Sequence, residues 1–325
     1  MSPSALLQVQ DMRLGLADGT ALVDGVSWSL AAGQTLAVVG ESGSGKSLSA
    51  MALMGLLPPA VRWLGGQAHF EGQALRDLSE RDYRQIQGRR IGMIFQEPMT
   101  SLNPVMRIGD QLVEVLRCHL PLSARAARDR AVELLASVQI PQPEQRISHY
   151  PHQMSGGQRQ RVMIAMALAC DPALLLADEP TTALDVTVQA DILQLLREQQ
   201  QRRALGVLLI THDLGVVSQV ADHVVVMYAG QVMEQGPVAQ VLSQPAHPYT
   251  QGLLRARPSG KLARSERLHE IAGMVAAPTR ERLGCPFAAR CASALPQCAR
   301  EQPPVVRPAP GRLAACWLVS QGAAP

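Results

Sequence analysis

The sequence predicts an α/β fold built on a parallel sheet, and three observations predict it. Short apolar runs alternate with amphipathic helical patterns up to about residue 254, and strand, helix and strand in succession favour parallel pairing. One such run, Gln34–Val39, passes straight into a glycine-rich turn and then a helix. Another, Leu174–Ala177, ends on two adjacent acids, and strand tips are where open parallel sheets bind ligands.

Along the chain, Trp28 sits in what reads as a core strand. Lys46–Leu57 reads as a helix with Leu48, Met51 and Ala52 on one face, stopped by Pro58 and Pro59. Ile91–Phe95, Val207–Thr211 and Val224–Tyr228 are further strands, and a helix striped by Val188, Ile192, Leu195 and Leu196 lies between two of the strands. Residues 98–170 carry helix patterns and few strand runs. Ala127, Ala131, Leu134, Leu135 and Val138 recur there at helical spacing, which marks a helical insertion. From residue 255 to 325, Pro, Arg and Cys replace periodicity, so this stretch reads as an appended extension.

Composition excludes several classes. The 325 residues are 47% hydrophobic, enough for a sizeable core. Charged residues make up 18% with a net charge of +3, which gives no electrostatic case for a nucleic-acid partner, and 3% aromatics argue against base-stacking platforms. No apolar run approaches the roughly 20 residues of a membrane-spanning helix. Met1–Gln10 lacks the basic start and apolar run of a secretory signal. A membrane role is therefore expected to run through partner chains, from the cytoplasmic side.

The glycine-rich turn is Gly40, Glu41, Ser42, Gly43, Ser44, Gly45, Lys46 and Ser47, a full G-x-x-x-x-G-K-S/T phosphate loop between a strand and a helix. Its glycines let the backbone curl so that N–H groups and the helix N-terminus hold phosphates. Lys46 is expected to reach the β- and γ-phosphates and Ser47 to place its hydroxyl on Mg²⁺. At the tip of Leu174–Ala177, Asp178 would hold Mg²⁺ and Glu179 would polarise the attacking water.

Met154-Ser155-Gly156-Gly157-Gln158-Arg-Gln-Arg161 is another glycine pair opening a helix, with Val162, Ala165, Met166 and Ala169 as its buried face. It resembles the signature motif of ABC ATPases, with Met154 where Leu is usual. The resemblance spans about residues 5–250. It implies a P-loop NTPase core of ABC ATPase type over 1–254, with a helical subdomain at about 98–170. It also implies ATP and Mg²⁺, and a head-to-tail dimer with a second ABC ATPase subunit in which Ser155, Gly156, Gly157 and Gln158 act in trans. Under it, Gln96 is the Q-loop glutamine touching Mg²⁺ and water, Ala183-Leu184-Asp185 the D-loop at the dimer interface, and His212 the switch histidine near the γ-phosphate. The family usually stacks an aromatic ring on adenine, but Arg13–Gly19 offers only Leu16. Two readings stay open: weaker base selectivity, or a ring held by Leu16 and Val23 through apolar contact.

Met99-Thr-Ser-Leu-Asn-Pro104, Tyr150-Pro-His-Gln-Met-Ser155, Asp178-Glu-Pro-Thr-Thr-Ala-Leu-Asp-Val-Thr-Val188 and His247-Pro-Tyr-Thr250 are similar to the importer ATPases for dipeptides, oligopeptides and nickel. That branch implies two integral membrane permease subunits, an extracytoplasmic binding protein, and docking of a permease helix after Gln96, where an exposed Met99 or Leu102 would serve. Peptide import is the leading reading, favoured over nickel or metallophore import by the long tail. A soluble ABC ATPase outside transport is the alternative of another class.

Cys285, Cys291, Cys298 and Cys316 fall in the tail, with no histidine among them. An all-thiolate set suits a [4Fe-4S] cluster or a Cys₄ zinc site, while reduced thiols or disulfides stay open. The tail resembles the C-terminal extension of peptide-importer ATPases, some of which carry such a cluster. Cys118 and Cys170 read as buried small side chains.

Overall fold

The computed structural model describes residues 5–96, 101–182, 184–256 and 270–322. In chain order the first elements are β1 (Ala5–Leu16), β2 (Ala21–Ala31), β3 (Thr35–Val39), α1 (Lys46–Leu53), β4 (Val61–Phe70), β5 (Gln73–Ala74), α2 (Glu80–Ile86) and β6 (Ile91–Ile94). The middle holds α3 (Ile108–His119), α4 (Ala124–Ser137), α5 (Pro143–Arg146), α6 (Gly156–Ala167), β7 (Leu174–Asp178) and α7 (Val186–Arg203). There follow β8 (Gly206–Thr211), α8 (Leu214–Val220), β9 (His223–Tyr228), β10 (Gln231–Pro237), α9 (Val238–Ser243), α10 (Pro248–Arg255), β11 (Val305–Val306), β12 (Leu313–Ala315) and α11 (Trp317–Ser320). No helix among the described residues is long and apolar enough to cross a membrane.

The chain divides into two compact units. The first holds residues 77–209 with short pieces from 1–6 and 31–34. Here β6 runs parallel to β7, from Ile91 opposite Leu174 to Ile94 opposite Ala177. All five residues of β7 are buried, the pattern of a strand covered on both faces. Helices α3 to α6 fall between β6 and β7, and Ala127, Ala131, Leu134, Leu135 and Val138 are all buried. In α7, Ile192, Leu195 and Leu196 are buried while Val188 is half-exposed.

The second unit holds residues 7–30, 35–76 and 210–325. Its main sheet runs in the order β11-β12-β10-β9-β3. β3 and β9 pair in parallel, but β9–β10, β10–β12 and β11–β12 are antiparallel, so the sheet is mixed rather than purely parallel. A second sheet, β2-β1-β4-β5, pairs β1 with β4 antiparallel. β1 and β2 alternate buried and exposed positions, the period of a half-covered strand, and Trp28 is buried as expected. Two strand pairings make the extension part of this unit: β12 lies on β10, and β11 on β12.

Helix α1 ends a full turn before the prolines. Gly55, at φ +66°, lets its own N–H reach Ala52 O and the Leu56 N–H reach Met51 O. This pair of bonds closes the last turn through a left-handed glycine, so Pro58 and Pro59 stop nothing. The buried face is also rotated from expectation: Ser49, Ala50, Ala52 and Leu53 are buried, while Leu48 and Met51 are half-exposed.

Candidate active site

In the second unit the phosphate loop links β3 to α1. Gly40 passes so close to β9 that a Cβ on it would lie 2.1 Å from the Met227 carbonyl oxygen. No larger residue fits without moving that backbone. Lys46 is buried, and its ammonium donates to Gly40 O at 2.8 Å, Glu41 O at 2.9 Å and Ser44 Oγ at 3.2 Å. The cation is thus held inside the curl of the loop, ready to exchange carbonyl oxygens for phosphate oxygens. Gly45 caps α1 at φ +93°, so the helix opens directly on the loop. His212 is exposed just after β8, and Asp213 caps α8 by accepting from the Gly215 N–H at 2.6 Å.

In the first unit, Asp178 ends β7 and is buried, and Glu179 follows it with φ +46°. A left-handed glutamate is strained by about 1–3 kcal/mol and persists only where its surroundings hold it. They do so here: Gln96 Nε2 donates to Glu179 Oε2 at 3.1 Å, and Thr182 Oγ1 donates to the same oxygen at 2.8 Å. Gln96, expected to touch Mg²⁺ and water, instead contacts Glu179 directly in this structure. Thr182 was not expected; its place three residues after Glu179 in a tight turn is the signal that could have found it.

Ser155 caps α6, accepting from the Gln158 N–H at 3.3 Å, while Gln158 Oε1 accepts from the Ser155 N–H at 3.2 Å. This reciprocal box fixes the helix start. Ser155 and Gly156 are exposed. A Cβ on Gly157 would lie 2.7 Å from Val188 Cγ1, so the second glycine is what lets α6 start against α7. Of the expected buried face, Val162, Ala165 and Ala169 are buried and Met166 is half-exposed. Asp185 caps α7 through the Val188 N–H at 2.9 Å and is exposed beside Val186, which is 83% exposed.

With that geometry in place, comparison with known proteins decides the family. Residues 23–182 match the ABC transporter family, and residues 233–298 match the oligopeptide/dipeptide transporter C-terminal region. The chain is 49% identical over 318 residues to the oligopeptide transport ATP-binding protein OppD of Salmonella typhimurium, covering 97% of this chain and 94% of that one. The chain belongs to the ABC transporter ATPase family. It is also 48% identical over 302 residues to the oligopeptide transport ATP-binding protein AppD of Bacillus subtilis, covering 92% and 91% of the two chains. Among solved structures, the dimeric ATP-binding cassette MJ0796 bound to ADP and Pi aligns with a TM-score of 0.63 at 26% identity, over 71% of this chain and 98% of that one. The cassette fold and the ATPase activity follow from membership.

Several expectations need correction within this ABC ATPase. Leu102 is only 2% exposed, so it is not the exposed apolar residue expected there, whereas Val105, among the described residues, is 80% exposed. Met99 and Ala183 lie outside the described residues. Val23 is fully buried with its Cγ2 against the Gly45 position, so it cannot also hold an adenine ring; half-buried Leu16 is the remaining apolar candidate. Cys118 is exposed and Cys170 half-exposed, because the buried stripe of α3 runs through Ile108, Leu112 and Leu116 and passes Cys118 by.

The four tail cysteines do come together. Cys285, Cys291, Cys298 and Cys316 all line one cavity of about 20 Å³, roughly the room for one water, beside His247, Phe287 and Trp317. All are free thiols. Burial pushes Cys285 up to about 11 and raises Cys291 and Cys316, with repulsion from the neighbouring cysteines adding to it. Among the described residues no group of three or more His, Cys, Asp or Glu is arranged to hold a metal ion, so the iron–sulfur and zinc expectations find no ready-made ligand set.

Sequence reasoning missed how the tail reaches the phosphate loop. The Glu41 N–H donates to Tyr249 Oη at 3.0 Å, and Arg290 Nη1 donates to Glu41 Oε2 at 2.9 Å. Tyr249 belongs to the His247-Pro-Tyr-Thr250 motif. His247 is pushed down to about 4 by burial, so it stays neutral and its Nδ1 accepts from the Tyr249 N–H at 3.0 Å. Tyr228, Tyr249 and Phe287 meet edge-on or tilted, with ring centroids 4.8 to 5.3 Å apart.

Proposed function

We propose that this chain is the motor subunit of an importer of di- and oligopeptides, acting at the cytoplasmic face of the membrane. One observation carries the substrate class: the cassette continues into a stretch, 233–298, matching the oligopeptide/dipeptide transporter C-terminal region, and β10 at its start pairs with β9 in the second unit. Relatives named as oligopeptide transport ATP-binding proteins support it along nearly the whole chain.

In this reading residues 1–254 form the cassette, 98–170 its helical subdomain and 255–325 the extension. Lys46 and the loop N–H groups from Gly40 to Ser47 bind the triphosphate. Ser47, Asp178 and Gln96 hold Mg²⁺, whose oxygen-only preference their hydroxyl, carboxylate and amide donors suit. Glu179, held by Gln96 and Thr182, orients the attacking water, and His212 contacts the γ-phosphate. Ser155, Gly156, Gly157 and Gln158 bind the triphosphate of a partner subunit, and Asp185 with exposed Val186 lies at that interface. Two permease subunits and an extracytoplasmic binding protein complete the importer.

The test is Lys46→Ala in the assembled transporter. Losing a hydrogen-bonding ammonium at a charged ligand costs about 1.5–3 kcal/mol, so ATP binding should weaken roughly 10- to 100-fold and peptide uptake should stop. Unchanged ATP affinity would refute the site. Co-purification with ribosomes in place of integral membrane chains would refute the importer.

The tail cysteines carry a second proposal, an iron–sulfur cluster that ties the extension together. The donor type alone motivates it: the four cysteine side chains lining the cavity are all thiols, and all-thiolate donors are cluster chemistry, although they are not set around a metal position in this structure. Iron and zinc analysis after anaerobic purification checks it: stoichiometric iron is expected, and its absence together with four titratable thiols would leave the tail metal-free.

A further inference from the structure

We infer that Arg290 of the extension is a positioning residue for ATP binding, acting on the phosphate loop through Glu41. The inference rests on the nucleotide-binding reading above and adds to it a residue from outside the cassette motifs.

Glu41 occupies a position of the phosphate loop that the motif leaves open, and it brings a carboxylate to a loop that must receive a polyanion. One of its oxygens accepts from Arg290 Nη1 at 2.9 Å, and the other is buried with no hydrogen-bond partner. Its charge therefore depends on the guanidinium for compensation. Arg290 is well placed to supply it. The side chain is 6% exposed, so the pair is shielded from water on the arginine side. Its remaining donors are committed to the tail and to β9: Nε to Ala272 O at 2.8 Å, Nη2 to Ile271 O at 2.7 Å, and Nη1 to Tyr228 Oη at 3.3 Å, with the guanidinium 5.6 Å over the Tyr228 ring. A planar fork fixed on three sides presents its charge to Glu41 in one place.

Two consequences follow for the loop. The Glu41 backbone is pinned twice more, by Tyr249 Oη at its N–H and by Lys46 and the Ser44 N–H at its carbonyl. Clamping its side chain then fixes the curl of the loop, so less ordering remains to be done when phosphates arrive. Arg290 also offsets a negative charge that would otherwise repel the triphosphate. Both effects act on bound nucleotide before and during hydrolysis alike, so they belong to binding rather than to the chemical step.

The experiment is a double-mutant cycle in the full chain, read by equilibrium titration with Mg-ATP, Mg-ADP and adenosine. Arg290→Ala should weaken ATP binding roughly tenfold, the scale of one charge-assisted hydrogen bond, with kcat at saturating ATP nearly unchanged. The loss should be smaller for ADP and absent for adenosine. In a Glu41→Gln background the same substitution should cost little, because no loop carboxylate remains to be offset. Arg290→Gln, which keeps hydrogen-bonding capacity without charge, repeats the cycle in case the alanine variant loosens the tail. Equal losses in both backgrounds, or equal losses for all three ligands, would overturn the inference and leave Arg290 a fold-stabilising residue. A Lys46→Ala variant run alongside separates the two failures: normal ATP binding there refutes the site itself, whereas loss there with unaffected Arg290 variants refutes only this inference.

Discussion

Glu179→Gln is expected to keep ATP bound and to slow its hydrolysis by roughly 10²-fold or more, the scale of a lost general base. Glutamine has the same shape and can still accept from Gln96 and Thr182 through its amide oxygen, so the local hydrogen bonds that hold Glu179 at φ +46° should survive. What disappears, in the proposed reading, is the carboxylate charge that orients and polarises the attacking water. Nucleotide titration alongside single-turnover hydrolysis checks the expectation. Near-normal hydrolysis by the variant would remove Glu179 from the reaction.

Arg312→Ala should destabilise the second unit by about 3–5 kcal/mol, the cost of stranding a buried charge. Its partner Glu234 is completely buried and accepts from Arg312 Nη2 at 2.7 Å, from the Ala246 N–H at 2.9 Å and from the His247 N–H at 3.0 Å. Arg312 is also buried and donates to Gln244 O at 2.6 Å. Without the guanidinium the carboxylate keeps two neutral donors and no countercharge. Glu234→Gln combined with Arg312→Met should recover much of the loss, since an amide still satisfies both backbone donors without burying charge. Urea denaturation of these two variants decides the matter. A single substitution costing under about 1 kcal/mol would show that the pair contributes as little as an exposed one.

The parts of the site that were legible in the sequence are those written in consecutive residues. The loop from Gly40 to Ser47, the acids Asp178 and Glu179, and the glycine pair after Ser155 each combine chemistry and backbone geometry within one short run. The parts that were not legible depend on distance along the chain. Arg290 meets Glu41 across 249 positions, and neither residue belongs to a pattern that points at the other. Strand pairing was partly hidden for a different reason: β1 shifts register between Gln10 and Arg13, with Asp11 at φ +48°, which breaks the alternation a reader would follow. Leu102 misled because an apolar residue in a loop is as readily folded under as presented, and only burial tells the two apart. Gly55 lay in plain sight, yet two prolines beyond it gave the louder stop signal.

The pairing of β12 with β10 decides what would become of a shortened chain. A central strand has both rows of backbone donors and acceptors occupied. Cutting the protein after α10 would bare one row of β10 between Glu234 and Gln235, an open ladder inviting another chain to add itself. In the intact molecule that invitation is declined: the outermost strand, β11, is two residues long, with Pro303 and Pro304 before it and Pro308 soon after. Residues without an amide hydrogen cannot propagate a ladder. The tail thus finishes the sheet as a selvedge finishes cloth, leaving no thread for a stranger to catch.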